Sequence, residues 1–227
     1  MKRLTHILCV MIYTTIISSC GVSGHMAPGY NADEIRSLIL FEPVSKIETI
    51  GKGEIRITDD TASMASQEIL LQAFKTQDTG LEINSVYTPS GTKQQENIRK
   101  DIEFLYAQHL NSGRDHDGLS LAVPEYLDQI IEKTGNRYGM AVYCYGFSRT
   151  GGNYATQIAK SFGLALLSLG SVYTIPYKDK CNLHVYIIDS EENRMAWSNV
   201  CIGPDYNPLK PKHIEKQLKL LFKQFRK

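Results

Sequence analysis

The chain has 227 residues, 42% of them hydrophobic, with 25 basic against 24 acidic side chains. That much apolar material can bury a core, which excludes a disordered stalk and fits one domain with elaborations. A formal net charge of +1 gives no bulk attraction to nucleic acid, so no nucleic-acid partner is expected.

The chain opens Met1-Lys2-Arg3, runs through a mostly apolar stretch over residues 4–17, and reaches Ser18, Ser19 and Cys20. A basic start, a short apolar core and small residues before a cut site describe a secretory signal. The stretch is too short for a membrane span, which takes about 20 apolar residues. Ile17-Ser18-Ser19-Cys20 resembles a bacterial lipobox, in which cleavage leaves the cysteine first and its thiol receives lipid. The resemblance implies a signal peptide over 1–19, lipidation at Cys20, and attachment to a membrane through acyl chains at about 0.8 kcal/mol per buried methylene.

Residues 21–34, "GVSGHMAPGYNADE", are glycine-rich with one proline, so 20–34 reads as a lipid-anchored tether and 35–227 as a single domain. No acidic run follows Cys20. Such a run resembles a surface-export tag of some envelope lipoproteins, and without it a periplasm-facing position on the outer membrane is expected.

Along the domain, residues 38–41 form the first predicted strand, limited by Pro43. "GEIRIT", 53–58, alternates Ile55 and Ile57 with polar residues, the period of a half-buried strand. Asp59 or Asp60 can cap a helix over 61–75, where Ala62, Ala65, Ile69, Ala73 and Phe74 recur at helical spacing. A strand over 80–88 and a helix over about 93–110 follow, the latter lined by Ile98, Ile102, Leu105, Tyr106 and His109. Pro124 opens a short helix ending near Gly135. "YGMAVYCYGF", 138–147, carries sizeable side chains on both faces and reads as the central strand. Residues 153–169 read as a helix or a strongly apolar excursion. Residues 181–190 and 194–202 form an antiparallel hairpin around "SEEN", and a last helix runs over 212–226. The order predicts an α/β fold, with a mixed, partly antiparallel sheet covered by helices.

Chemistry is sparse. "GFSRTGG" offers a candidate ligand loop of Tyr145, Gly146, Ser148, Arg149, Gly151 and Gly152, in which glycine amides form a nest and Arg149 holds an anion. It lacks the lysine and hydroxyl of a phosphate-binding loop and the glycine spacing of a hydrolase elbow. His109 and His116 lie seven positions apart, not four, so neither they nor Asp115 and Asp117 form a zinc helix, and no metal or cofactor is expected. No catalytic triad assembles. Cys144, Cys181 and Cys201 can supply one disulfide with one thiol left over, or three small buried hydrophobes. Residues 158–169, "IAKSFGLALLSL", exceed what one amphipathic stripe needs. Ile158, Phe162, Leu166 and Leu169 mark a candidate interaction surface, covered by the core, a second subunit, another envelope protein or membrane.

"YGMAVYCYGF" leading out of "IIEKTGNRYG", with "CNLHVYIIDSEENRMAWSNV" placing Asp189 at a strand end and Trp197 on the return strand, resembles small bacterial lipoproteins of the anticodon-binding-like α/β group. That group includes the curli-secretion lipoprotein and lipoprotein activators of cell-wall synthases. The resemblance spans roughly 35–225 and implies no catalytic residues. It implies a non-enzymatic envelope lipoprotein acting in protein binding or assembly. A periplasmic small-ligand binder or enzyme using the 146–152 loop is the alternative.

Overall fold

The computed structural model describes residues 21–226 apart from 36, 113–117, 170, 173 and 175. The expected signal peptide, the lipidation site Cys20, and Asp115, His116 and Asp117 lie outside the described residues. Eight strands form one mixed sheet among the described residues: β1 (Gly21–Met26), β2 (Ser37–Phe41), β3 (Val44–Ile50), β4 (Arg56–Thr58), β5 (Glu82–Tyr87), β6 (Tyr138–Arg149), β7 (Asp179–Asp189) and β8 (Arg194–Pro204). The helices are α1 (Asp60–Thr76), α2 (Thr92–Asn111), α3 (Glu125–Lys133), α4 (Gly151–Leu167) and α5 (Pro211–Leu221).

β6 is the axis of the sheet. It runs antiparallel to β7 from Tyr138↔Asp189 to Ser148↔Asp179. On its other side it pairs in parallel, first with β2 at Leu38↔Tyr138 and then with β3 from Val44↔Tyr143 to Ile50↔Arg149. β2 and β3 thus follow one another along a single neighbour. Pro43, which has no amide proton to give a ladder, lies at the break between them. β7, β8 and β1 continue the sheet as antiparallel neighbours, and β5 closes the other side, parallel to β2.

Four helices cover the two faces. On one face Leu70, Ala73 and Phe74 of α1 and Ile214, Leu218 and Leu221 of α5 pack with Cys144, Leu183, Val185 and Trp197. On the other, Ile98, Ile102 and Leu105 of α2 and Leu127, Ile130 and Ile131 of α3 pack with Phe41, Ala141, Tyr143 and Tyr186. With both faces covered, the strands read as nearly continuous apolar runs. Asp59 caps α1, its carboxylate accepting from the Ala62 amide at 2.9 Å. α5 ends at Leu221, short of the expected 226, and a 3₁₀ turn over Lys223–Phe225 brings Phe225 back to the core beside Trp197.

Two expectations are corrected. Residues 21–26 are a strand and not a tether, because backbone pairing with β8 from Gly21↔Ile202 to Met26↔Trp197 needs no apolar side chains. The following segment is clamped too. The Tyr30 hydroxyl donates to the Asp189 carboxylate at 2.8 Å, and Arg137 donates to the same oxygen at 2.7 and 3.0 Å. Burial opposes charge on Asp189, yet Arg137 and Tyr30 hold its carboxyl below the usual range. The strand expected at 53–58 shrinks to β4 after a 3₁₀ turn at Lys52–Glu54, and Ile55 and Ile57 are exposed, since β4 is an edge strand pairing only with β3. Of the two readings open for the cysteines, the buried one holds: Cys144, Cys181 and Cys201 are all buried and outside any disulfide, with the Cys144 and Cys181 sulfurs 3.3 Å apart.

Candidate functional site

The expected ligand loop is mostly regular structure. Tyr145, Gly146, Ser148 and Arg149 belong to β6, and Gly151 and Gly152 open α4. Only Thr150 separates the two elements, and it caps α4 by accepting from the Asn153 amide. Gly146 is buried, and a Cβ there would lie 2.6 Å from the Lys180 carbonyl oxygen. Its glycine is therefore set by close strand packing and not by an anion. The Tyr145 hydroxyl donates to Glu48 at 2.8 Å, and Ser148 donates to Asp179 at 2.6 Å.

Arg149 is engaged as well. Its Nη1 donates to both Glu54 carboxylate oxygens at 2.8 Å and to Asn153 Oδ1 at 2.7 Å, while its Nε donates to the Tyr177 carbonyl at 3.1 Å. Asn153 Nδ2 donates in turn to the Gly51 carbonyl at 2.7 Å and to Glu54 at 2.9 Å, and Gln157 also donates to Glu54. The Arg149 hydrogen bond, then that of Asn153, lowers the Glu54 carboxyl below its ordinary range. Glu54 reaches this position with φ at 63°, the left-handed region. The cluster is a latch that ties the base of α4 to the 51–54 turn. A groove of about 470 Å³ runs beside it, lined by Lys52, Glu54, Gly152, Thr156 and Lys160 among others.

Beyond the latch, α4 leaves the body. Asn153 is its one buried residue. Ile158, Phe162, Leu164 and Leu166 are exposed, Leu167 keeps 87% of its surface, and Leu169, just past the helix, keeps 95%. An apolar helix normally packs a face, and none of the described part of this chain covers the outer half of this one. Its stripe of Ile158, Phe162 and Leu166 recurs at four-residue steps, with Ala159 between Ile158 and Phe162 and Ala155 one turn before Ile158. Leu164 and Leu167 lie roughly opposite, given about 100° per residue.

His109 and His184, expected on an apolar helix side and a strand, meet with ring centroids 5.2 Å apart. Burial, helped by His109, pushes His184 down to about 3. Burial also pushes Tyr106 up to about 12 and raises Tyr186. No group of three or more His, Cys, Asp or Glu side chains placed to hold a metal occurs among the described residues. No described helix is long and apolar enough to cross a membrane.

Sequence reasoning named Arg149 and the apolar segment but missed Glu54 and Asn153. Neither carries a sequence signal, because the latch joins positions about a hundred residues apart.

No family model and no curated protein matches the chain. Solved structures of a PelC dodecamer from Paraburkholderia phytofirmans align with it at 9% identity. A point variant in space group C2 has a TM-score of 0.39 and covers 90% of this chain and 96% of that one. A second form in space group P6 has a TM-score of 0.37 and covers 91% and 99%. Overlap this loose carries neither site nor role across.

Proposed function

We propose that this chain is a non-enzymatic cell-envelope lipoprotein, anchored through Cys20 to the periplasmic side of the outer membrane, that works by assembly with further copies of itself. The single observation behind this reading is α4, held rigidly at its base by the Arg149–Glu54–Asn153 latch while its apolar stripe faces outward. Large exposed apolar patches on a stable domain mark interaction surfaces. Ala155 leaves a hollow beside Ile158 and Ala159 one beside Phe162, so two copies of the helix can interlock side by side. The alternative, a small ligand in the groove beside Glu54, has Lys52 and Lys160 for an anion, but Arg149 is already committed to the latch.

The test is light scattering on residues 21–227, which contain every described element, against Phe162→Glu/Leu166→Glu. A defined oligomer that falls to monomer, with an unchanged circular dichroism spectrum, supports assembly through α4. A monomer in both proteins removes it.

A further inference from the structure

The place where the chain enters the sheet bears on what covers the rest of α4. Gly21, the residue after Cys20, pairs with Ile202, which pairs with Asn182, which pairs with Tyr145. These four lie in one row across β1, β8, β7 and β6. Four residues beyond Tyr145, β6 ends and α4 begins. The start of β1 and the base of α4 therefore lie at the same end of the sheet, separated sideways by three strand spacings, or about 14 Å. The opposite end carries the 190–193 turn, because Tyr138 pairs with Asp189.

A second copy does not cover all of the apolar surface of α4. A second copy lying on the Ile158–Phe162–Leu166 stripe leaves Leu164 and Leu167 on the far side, with Leu169 beyond them, in water. Hydrocarbon covers that far side, which a contact between copies leaves bare. The charge pattern agrees: residues 150–178 contain no acidic side chain and two basic ones, Lys160 and Lys178, both exposed, and Lys52 stands exposed at the base. Lysines flanking an apolar segment keep their ammonium groups among anionic headgroups while their stems follow the apolar surface. Lys160 near the middle of α4 limits the insertion to the outer half of the helix.

We propose that the tip of α4, carrying Leu164, Leu167 and Leu169, inserts into the phospholipid leaflet that holds the lipid on Cys20, giving the domain a second attachment point that fixes its orientation on the membrane. The proposal rests on the reading of Cys20 as the anchor. An acyl anchor alone leaves a domain free to rotate, whereas two attachments at one sheet end point the 190–193 turn away from the membrane.

The test uses the full chain, processed and purified in detergent, then placed in vesicles of phosphatidylethanolamine and phosphatidylglycerol. Trp197, the chain's one tryptophan, is fully buried and supplies a constant background. Leu167→Trp reports the tip and Glu192→Trp reports the opposite end. Acyl-brominated phospholipid is expected to quench the Leu167→Trp signal at least about twofold more than the Glu192→Trp signal, with a blue-shifted emission. Equal quenching with iodide-accessible emission overturns the proposal. A Leu167→Trp signal shielded from iodide but untouched by bromolipid overturns it in favour of a protein cover. Intact mass is measured first. A mature chain without acyl mass on Cys20 removes the anchor and the proposal with it, while the oligomer measurement on residues 21–227 stands on its own.

Discussion

Replacing Phe162, Leu166 and Leu167 together by glutamine should leave the domain as stable as it is. Each of these side chains keeps more than half its surface in the free chain, 61%, 64% and 87% in turn. Surface substitutions away from special features change stability by about 0.5 kcal/mol or less, and glutamine keeps good helix propensity. Were the same three side chains core, their loss would cost about 2–5 kcal/mol each. The total, roughly 6–15 kcal/mol, would consume the about 5–15 kcal/mol that a domain has. The exposed case totals at most about 1.5 kcal/mol, so the two cases are separated by at least about fourfold. Urea unfolding followed by Trp197 fluorescence reads the difference directly, because Trp197 sits in the core against Phe222 and Phe225, far in the fold from α4. Low protein concentration keeps any assembly from adding mass-action stability. A midpoint shift worth more than about 1.5 kcal/mol, with an unchanged slope, would refute the placement of α4 outside the core.

Two further outcomes follow from buried groups. His184, 3% exposed and held near 3 against about 6.5 in an unfolded chain, is neutral in both states above pH 6.5 and protonated only in the unfolded state between there and about 3. Stability is thus full at pH 7.5 and falls as the pH drops, by up to about 1.4 kcal/mol per unit; His109 is lowered too and adds in the same direction. His184→Phe should flatten urea-derived stability between pH 6.5 and 5, and an unchanged slope would remove His184 as its source. Gly146→Ala should destabilise by about 1–3 kcal/mol, since its methyl meets the Lys180 carbonyl at 2.6 Å; a neutral thermal shift would mean that the β6–β7 ladder yields at that point.

Much of the fold was legible, and the misses have physical causes. β6 and the β7–β8 hairpin announced themselves because a strand buried on both faces must be apolar throughout, and α1, α2 and α3 because a packed face imposes the helical period. β1 was hidden because an edge strand can be held by its backbone alone, and Gly24 has little room for a side chain against the Asn199 amide. β3 was hidden because its buried residues, Val44, Ile47 and Ile50, fall every third position and not every second. The alternation at Ile55 and Ile57 was real but misleading: no layer lies over that edge. At the candidate site, Ile158, Phe162 and Leu166 were legible as surplus apolar material. Composition says that such residues want cover; it does not say whether the chain itself supplies it. The latch was not legible, because Glu54 becomes Arg149's partner only when β3 and β6 lie side by side.

The length of the β6–β7 connection adds the last step. These strands are adjacent and antiparallel, so two to five residues suffice to join them, and the chain uses four between β7 and β8, at residues 190–193. Between β6 and β7 it inserts residues 150–178 instead. Nothing in the sheet register requires them, since Ser148 already pairs with Asp179. An excursion that the fold does not need, clamped at its base and apolar toward its tip, has its reason outside the core. Its place at the sheet end where β1 begins is the observation on which the proposed membrane contact of α4 rests. Shortening 150–178 to a tight turn should then preserve β6, β7 and the buried core while removing both the copy-to-copy contact and the bromolipid quenching. Loss of the folded core on that shortening would place the excursion in the folding of the domain and undo the inference.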